Sequence, residues 1–331
     1  MTAPGTSPTP DGFRPIPWLY GQDWLQLATH PRKFLRAVRH APVAVRFDAD
    51  VGPPSVTRWT YDRDRYGDVV TIEFVSRDQM RRFAKRWRDV ADAIRDSGRE
   101  DPSFSFRRAR IDLGDGVWHD TADDVLAFAR RPGSTVGLLP NTYLLRSRPR
   151  LPASLPWERK ADTLYFRGTS TGSQVYEENS RVLLCRLAQT LPRADCLISR
   201  VRQIDDGFAR RLAEDRILGR RQPLSRLNRH RFLADVDGNT SSWDRYLFIG
   251  LFGGVPVRFE TSWEECWHDL LIDGVNCVMA DRQSLPVVLE RLRSRPDEAL
   301  AIARNATEVA DSGLSRTAMR GRLRLALERF S

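Results

Sequence analysis

Short apolar runs alternate with segments of helical spacing along most of this chain. Segments at 43–47, 69–75, 104–111, 135–139, 163–166, 232–236, 255–257 and 275–279, most of them apolar, predict strands. Between them, 24–38 (interrupted at Pro31), 80–94, 123–129, 182–189, 284–292, 296–310 and 316–330 repeat their apolar residues at helical intervals. The helix at 80–94 places Phe83, Trp87, Val90 and Ala91 on one face, and the last one does the same with Met319, Leu323, Leu327 and Phe330. The helix at 123–129 opens on Asp123 and Asp124, acids that the helix dipole favours. The stretch 194–218 reads as a strand followed by a helix. Strands alternating with helices predict an α/β fold built on parallel sheets.

The pattern is most regular from His230 to Phe259. An apolar strand (Phe232, Leu233, Ala234, Val236) breaks on Asp237-Gly238-Asn239, a strong turn signal. Ser241 or Ser242 then supplies a helix N-cap for 243–252, Gly253-Gly254 ends that helix, and Val255-Pro256-Val257 begins the next strand. In parallel sheets the loop joining strand to helix binds ligands, because free N–H groups and the helix dipole favour an anion there. Arg245 sits one turn inside, and its guanidinium fork suits a diphosphate oxygen or, alternatively, pairs with Asp244 or Asp237.

Composition narrows the class. At 331 residues two domains are expected, and no apolar run is long enough to cross a bilayer. Residues 1–12 lack a basic patch and an apolar core, which predicts a flexible tail rather than a signal peptide. Cys185, Cys196, Cys266 and Cys277 show no metal-ligand spacing, so reduced thiols and a cytoplasmic protein are expected. The net charge of +10 rests on arginine, since Lys33, Lys85 and Lys160 are the only lysines. The 43 acids are interspersed, which argues against a nucleic-acid partner. Peripheral contact with an anionic membrane surface is the expectation that charge leaves open.

Two motifs carry a resemblance. Pro156-Trp157-Glu158-Arg159-Lys160 is followed by Leu164-Tyr165-Phe166-Arg167-Gly168-Thr169-Ser170-Thr171-Gly172, and Asp237-Gly238-Asn239 through Arg245 lies about 70 residues later. Both resemble glycosyltransferase family 90, the capsule-associated family that includes Rumi-like protein O-glucosyltransferases and bacterial lipopolysaccharide glycosyltransferases. The likeness covers about residues 140–312. It implies a GT-B fold, two Rossmann-like domains facing a cleft, with an acceptor domain at 13–150 and a donor domain at 151–314. A C-terminal helix at 315–331 would cross back to the first domain by fold analogy. The polar, proline-bearing stretch 146–156 reads as the linker.

The resemblance implies that Arg167, Gly168, Thr169, Ser170, Thr171 and Gly172 contact the diphosphate of a UDP-sugar, joined by Asp237, Gly238, Asn239, Ser241, Ser242 and Arg245. Arg181 follows the loop and either contacts phosphate or pairs with Glu177 or Glu178. The implied donor is UDP-glucose or UDP-xylose, with no cofactor and no metal, and the acceptor a glycan or lipid-linked saccharide of the cell surface. An inverting transfer needs a carboxylate to take the acceptor proton. By distance to Pro140 the matching residue is Asp115, with Asp112 in reserve; a turn-forming Asp-Gly pair or a base at His119 are the alternatives. Relatives place Pro-Asp where this chain has Pro140-Asn141, so Asn141 and Tyr143 are assigned to acceptor contacts or structure. Gly274-Val275-Asn276 replaces a His-Tyr pair common in relatives, and Glu264 and Glu265 reach a ribose or face solvent. A binding protein with a degenerate site is the rival reading.

Overall fold

A computed structural model of the chain describes residues 45–48, 58–62, 69–73, 77–101, 103–104, 106, 108–114 and 125–329. In chain order the strands are β1 (Val45–Asp48), β2 (Arg58–Asp62), β3 (Val69–Glu73), β4 (Arg108–Asp112), β5 (Val125–Ala127), β6 (Gly137–Leu138), β7 (Ala161–Thr169), β8 (Ala194–Arg200), β9 (His230–Val236), β10 (Val255–Phe259) and β11 (Val278–Ala280). The helices are α1 (Arg77–Glu100), α2 (Thr142–Leu145), α3 (Ser180–Ala188), α4 (Asp206–Glu214), α5 (Arg245–Leu251), α6 (Leu285–Ser294), α7 (Pro296–Glu308) and α8 (Arg316–Glu328). The architecture is α/β. None of the described helices is long and apolar enough to cross a membrane.

The chain divides into two compact units. One holds the described residues up to Phe128 with Gly133–Leu145 and the chain from Arg320; the other holds Ala129–Pro132 and Arg146–Met319. The first unit's sheet runs β1-β3-β2-β4-β5-β6, parallel except at β2, which is antiparallel to both neighbours. Strand β2 has no counterpart among the predicted elements. The expected helix at 123–129 is corrected: residues 125–127 form β5, with Leu126 paired to Gly137 and Arg110 to Val125. A short, wholly apolar run has no period to separate helix from strand, and sheet pairing decides it. In α8, Leu323 and Leu327 are fully buried, and Arg320 donates to Asp96 and Glu100 of α1.

The second unit's sheet is wholly parallel in the order β11-β10-β9-β7-β8. Alternation sorts its side chains. Leu164, Phe166, Cys196, Ile198, Phe232, Ala234, Val236, Val255, Val257 and Phe259 form the main core with α3, α4, α6 and α7. Tyr165 and Leu233 face the other way, under Phe248 and Ile249 of α5 and Phe252 just after it. Strand β7 runs on to Thr169, so Arg167, Gly168 and Thr169 are strand rather than loop. Lys160, in the first motif, is buried and donates to Asn228 O at 2.8 Å, Asn228 Oδ1 at 2.9 Å and Phe252 O at 2.6 Å. That ammonium fastens the incoming chain to the C-terminal end of α5, where a cation suits the helix dipole, and burial lowers its pKa to about 8.

Candidate functional site

Counting the second unit's strands in sequence, their spatial order is 2-1-3-4-5, and the order reverses between β7 and β9. In open parallel sheets ligands bind outside the carboxyl ends of the strands at such a reversal. Here those ends carry the two sequence motifs. Thr169 closes β7 and the chain continues as Ser170-Thr171-Gly172, while Val236 closes β9 ahead of Asp237-Gly238.

Arg181 holds the two ends together. From the first turn of α3 its Nη1 donates to Thr169 Oγ1 at 2.9 Å, Thr171 Oγ1 at 2.7 Å and Thr169 O at 3.1 Å. Its Nε reaches Asp237 O at 2.9 Å and its Nη2 reaches Val236 O at 3.3 Å. Burial, and after it the nearby Arg245, lower its pKa to about 10. Of the two alternatives for Arg181, the ion pair with Glu177 or Glu178 does not form: Glu177 takes Arg211 and Glu178 takes the Ser173 hydroxyl. Asn179 caps α3 through Oδ1, and its amide holds Ser170 O and Ser173 O, which wraps the loop around the helix start. Among the described residues the N–H groups of Thr171 and Gly172 find no acceptor.

Two glycines answer to this geometry. A Cβ on Gly238 would lie 2.7 Å from Arg181 Nη2 and 3.0 Å from Thr171 Oγ1. Gly172 has φ +134° and sits against the Gly238 carbonyl and the Asn179 amide. Only glycine fits both demands without strain.

Asp237 is buried, and its Oδ2 accepts the Ser262 N–H at 2.7 Å. Its Oδ1 accepts no hydrogen bond among the described residues. Burial raises its pKa to about 7, with the neighbouring Asp235 adding to the rise and Arg258 and Arg181 opposing it. A buried carboxyl oxygen left unpartnered at the mouth of the site is costly unless a ligand hydroxyl or water meets it.

Arg245 opens α5. Its Nη2 donates to Arg167 O at 2.9 Å and its guanidinium lies 5.0 Å from the centroid of the Phe166 ring. Burial lowers its pKa, against Asp235 and Asp244. The serine cap is corrected: Asp244 is the residue before the helix, without a side-chain cap, and the chain reaches it through Trp243 at φ +64°. A bulky side chain in that region stores roughly 1–3 kcal/mol. Ser241 is buried in the intervening loop beside the partly exposed Ser242, and Asn239 lies just after Gly238. Arg167 is bonded to Asp195 through Nη2 at 2.6 Å.

A pair that sequence reading overlooked lies beneath. Asp235 of β9 and Arg258 of β10 are register partners, both buried, with Oδ2 and Nη1 3.5 Å apart. An acid inside an otherwise apolar strand was the available signal. With Arg181, Arg245 and Arg258 set against Asp235, Asp237 and Asp244, of which the last two are raised in pKa by burial, the site favours an anion.

In the first unit Asp115 and His119 lie outside the described residues. Asp112 ends β4, and its Oδ1 closes a turn on the Gly114 N–H at 2.6 Å. Asn141 is a buried helix cap, its Oδ1 accepting from Tyr143 N and Leu144 N, while Tyr143 is exposed. Glu264 pairs with Arg130 at 3.0 Å and forms an isolated β-bridge with it, and Glu265 is buried against Trp267 Nε1. The four cysteines are free.

No protein-family model and no curated protein matches the sequence, so the family 90 resemblance rests on its two motifs. Among solved structures the chain is similar to HepE of Anabaena in complex with UDP and glucose, at 14% identity and a TM-score of 0.37 over 52% of this chain and 49% of that one. It is also similar to a glycosyltransferase of Rickettsia africae (11%, 0.40, 63% and 57%). A third is WaaG, a glycosyltransferase involved in lipopolysaccharide biosynthesis (13%, 0.33, 53% and 48%). The match spans about half the length of HepE and WaaG. At these scores the likenesses carry no argument about activity.

Proposed function

We propose that this chain is a GT-B glycosyltransferase of family 90 type that moves a sugar, glucose or xylose, from UDP to a glycan hydroxyl with inversion. The observation that carries the reading is the site between β7 and β9, where Arg181, Arg245 and the free N–H groups of Thr171 and Gly172 meet a buried carboxyl with an unpartnered oxygen. Positive groups and backbone donors fixed before the ligand arrives suit a diphosphate, and they stabilise the charge that develops on it as the glycosidic bond breaks. Asp237 Oδ1 accepts a hydroxyl of the donor. In the other unit Asp115 takes the acceptor proton as its oxygen attacks the anomeric carbon, with Asp112 in reserve. The diphosphate leaves with the bonding pair.

The test is thermal unfolding of the full chain against UDP, UDP-glucose, UDP-xylose, UDP-N-acetylglucosamine and GDP-sugars. A ligand at a hundred times its Kd stabilises by about 2.7 kcal/mol, so UDP and one UDP-sugar raise the unfolding temperature and GDP-sugars do not. Asp115→Asn is expected to keep UDP affinity and lose transfer. Binding without turnover in the wild type would favour the non-catalytic rival, and silence across the panel would overturn the donor site.

A further inference from the structure

The second unit carries a basic surface that the site between β7 and β9 does not use. Six arginines lie within 216–231, and no acid occurs from Arg216 to Ala234. Residues 220–225 are exposed without a break, flanked by Leu218 at 41% exposure and including Leu224 at 40%. Some exposed arginines of this unit are paired, as Arg211 is with Glu177 and Arg282 with Glu260, while Arg150, Arg200, Arg202 and Arg304, outside this segment, form no ion pair among the described residues. The side chains of Arg216, Arg220, Arg221 and Arg229 make no ion pair or hydrogen bond among the described residues.

The segment is held at both ends. Ile198 of the edge strand β8 donates to Ile217 O at 2.8 Å and accepts from Gly219 N at 2.9 Å, which lays 217–219 along the sheet edge. Gly219 permits this approach, since a Cβ there would meet the Leu197 side chain at 2.7 Å. At the other end the turn Leu224–Arg229 anchors Leu227 and Asn228 in the interior. The unpaired cations are thus presented on a fixed edge, with aliphatic side chains between them.

Guanidinium forks match phosphodiester oxygens, and leucines set among them match the boundary between headgroup and acyl chain. A surface that tracks a nucleic-acid strand offers aromatic side chains for base stacking. No aromatic residue lies within 216–229, and His230 is buried. We infer that the 216–229 edge docks this protein on an anionic phospholipid bilayer, with Arg220, Arg221 and Arg229 on headgroup phosphates and Leu224 at the acyl boundary. This docking is independent of the donor reading: it stands or falls without UDP.

The experiment is co-sedimentation of the full chain with vesicles of phosphatidylcholine alone or mixed with phosphatidylglycerol. The protein is expected to partition onto the mixed vesicles only. Each arginine near an anionic surface changes partition by about fivefold, so the triple variant Arg220→Ala, Arg221→Ala, Arg229→Ala loses roughly a hundredfold. Leu224→Ser is expected to weaken partition with its salt dependence unaltered, and both variants keep the wild-type unfolding temperature and UDP affinity. Equal partition of wild type and triple variant, or equal binding to both vesicle types, would overturn the proposal. So would displacement by inorganic phosphate at matched phosphate concentration, which reassigns the edge to a free anion, or preferential capture by single-stranded RNA in competition.

Discussion

Asp237 is buried at the mouth of the site with one oxygen bonded and the other unmet, and its proton follows from that placement. The carboxyl titrates at 3.8 in the ordinary state and near 7 when folded. Between those values the folded chain holds a proton that the unfolded chain has released, so stability is full below about pH 4 and is lost as pH rises through about 7. The gap is worth about 4 kcal/mol. Asp237→Asn removes the titration: calorimetry is expected to show the variant more stable than wild type at about pH 8, with little difference at about pH 4. A parallel decline in both proteins would refute the assignment. Gly238→Ala acts through Arg181, whose Nη2 stands 2.7 Å from the added carbon. Displacing that guanidinium frees the Thr169 and Thr171 hydroxyls, and UDP affinity is expected to fall at least tenfold, about 1.4 kcal/mol. Unchanged affinity by titration calorimetry would mean the two loops do not act together.

The end of α5 was legible in the sequence and its start was not. Gly253 at φ +60° donates to Gly250 O at 2.8 Å, and Gly254 donates to Ile249 O at 3.1 Å, the paired bonds that Gly-Gly predicts after a helix. Gly253→Ala is expected to cost about 1–2 kcal/mol in denaturant unfolding with UDP affinity unchanged; a neutral effect would show that the left-handed turn is not needed. The start is hidden because Trp243 adopts a backbone region that residue preference does not suggest, which moves the start of the helix from Trp243 to Arg245. Strands β9 and β10 were readable from apolar runs and turn glycines. Strand β5 was not, since Val125-Leu126-Ala127 has no period and its partners lie on other segments. The prolongation of β7 through Gly168 was equally hidden, because its hydroxyl-rich end looks like a loop until β8 pairs with it.

Across the whole molecule, each motif could be read as a strand followed by a loop, but only the sheet order shows that β7 and β9 are neighbours. The Arg181 clamp that joins them was not readable, because it bridges hydroxyls and a main-chain oxygen around the end of β7 to main-chain oxygens 55 and 56 residues away in sequence. The buried Asp235–Arg258 pair was hidden for the same reason: only strand register brings the two together. In the first unit, sequence reading put the transfer base at Asp115, a residue outside those described. The donor site therefore bears the central claim, and Arg245 tests it most directly. Its guanidinium lies over the Phe166 ring, and among the described residues its hydrogen bond goes to a strand carbonyl, Arg167 O. Calorimetric titration of UDP into wild type and Arg245→Ala, at equal unfolding temperature, is the decisive comparison. The account predicts measurable binding by the wild type and none by the variant. Retained affinity in Arg245→Ala would contradict a diphosphate site between β7 and β9.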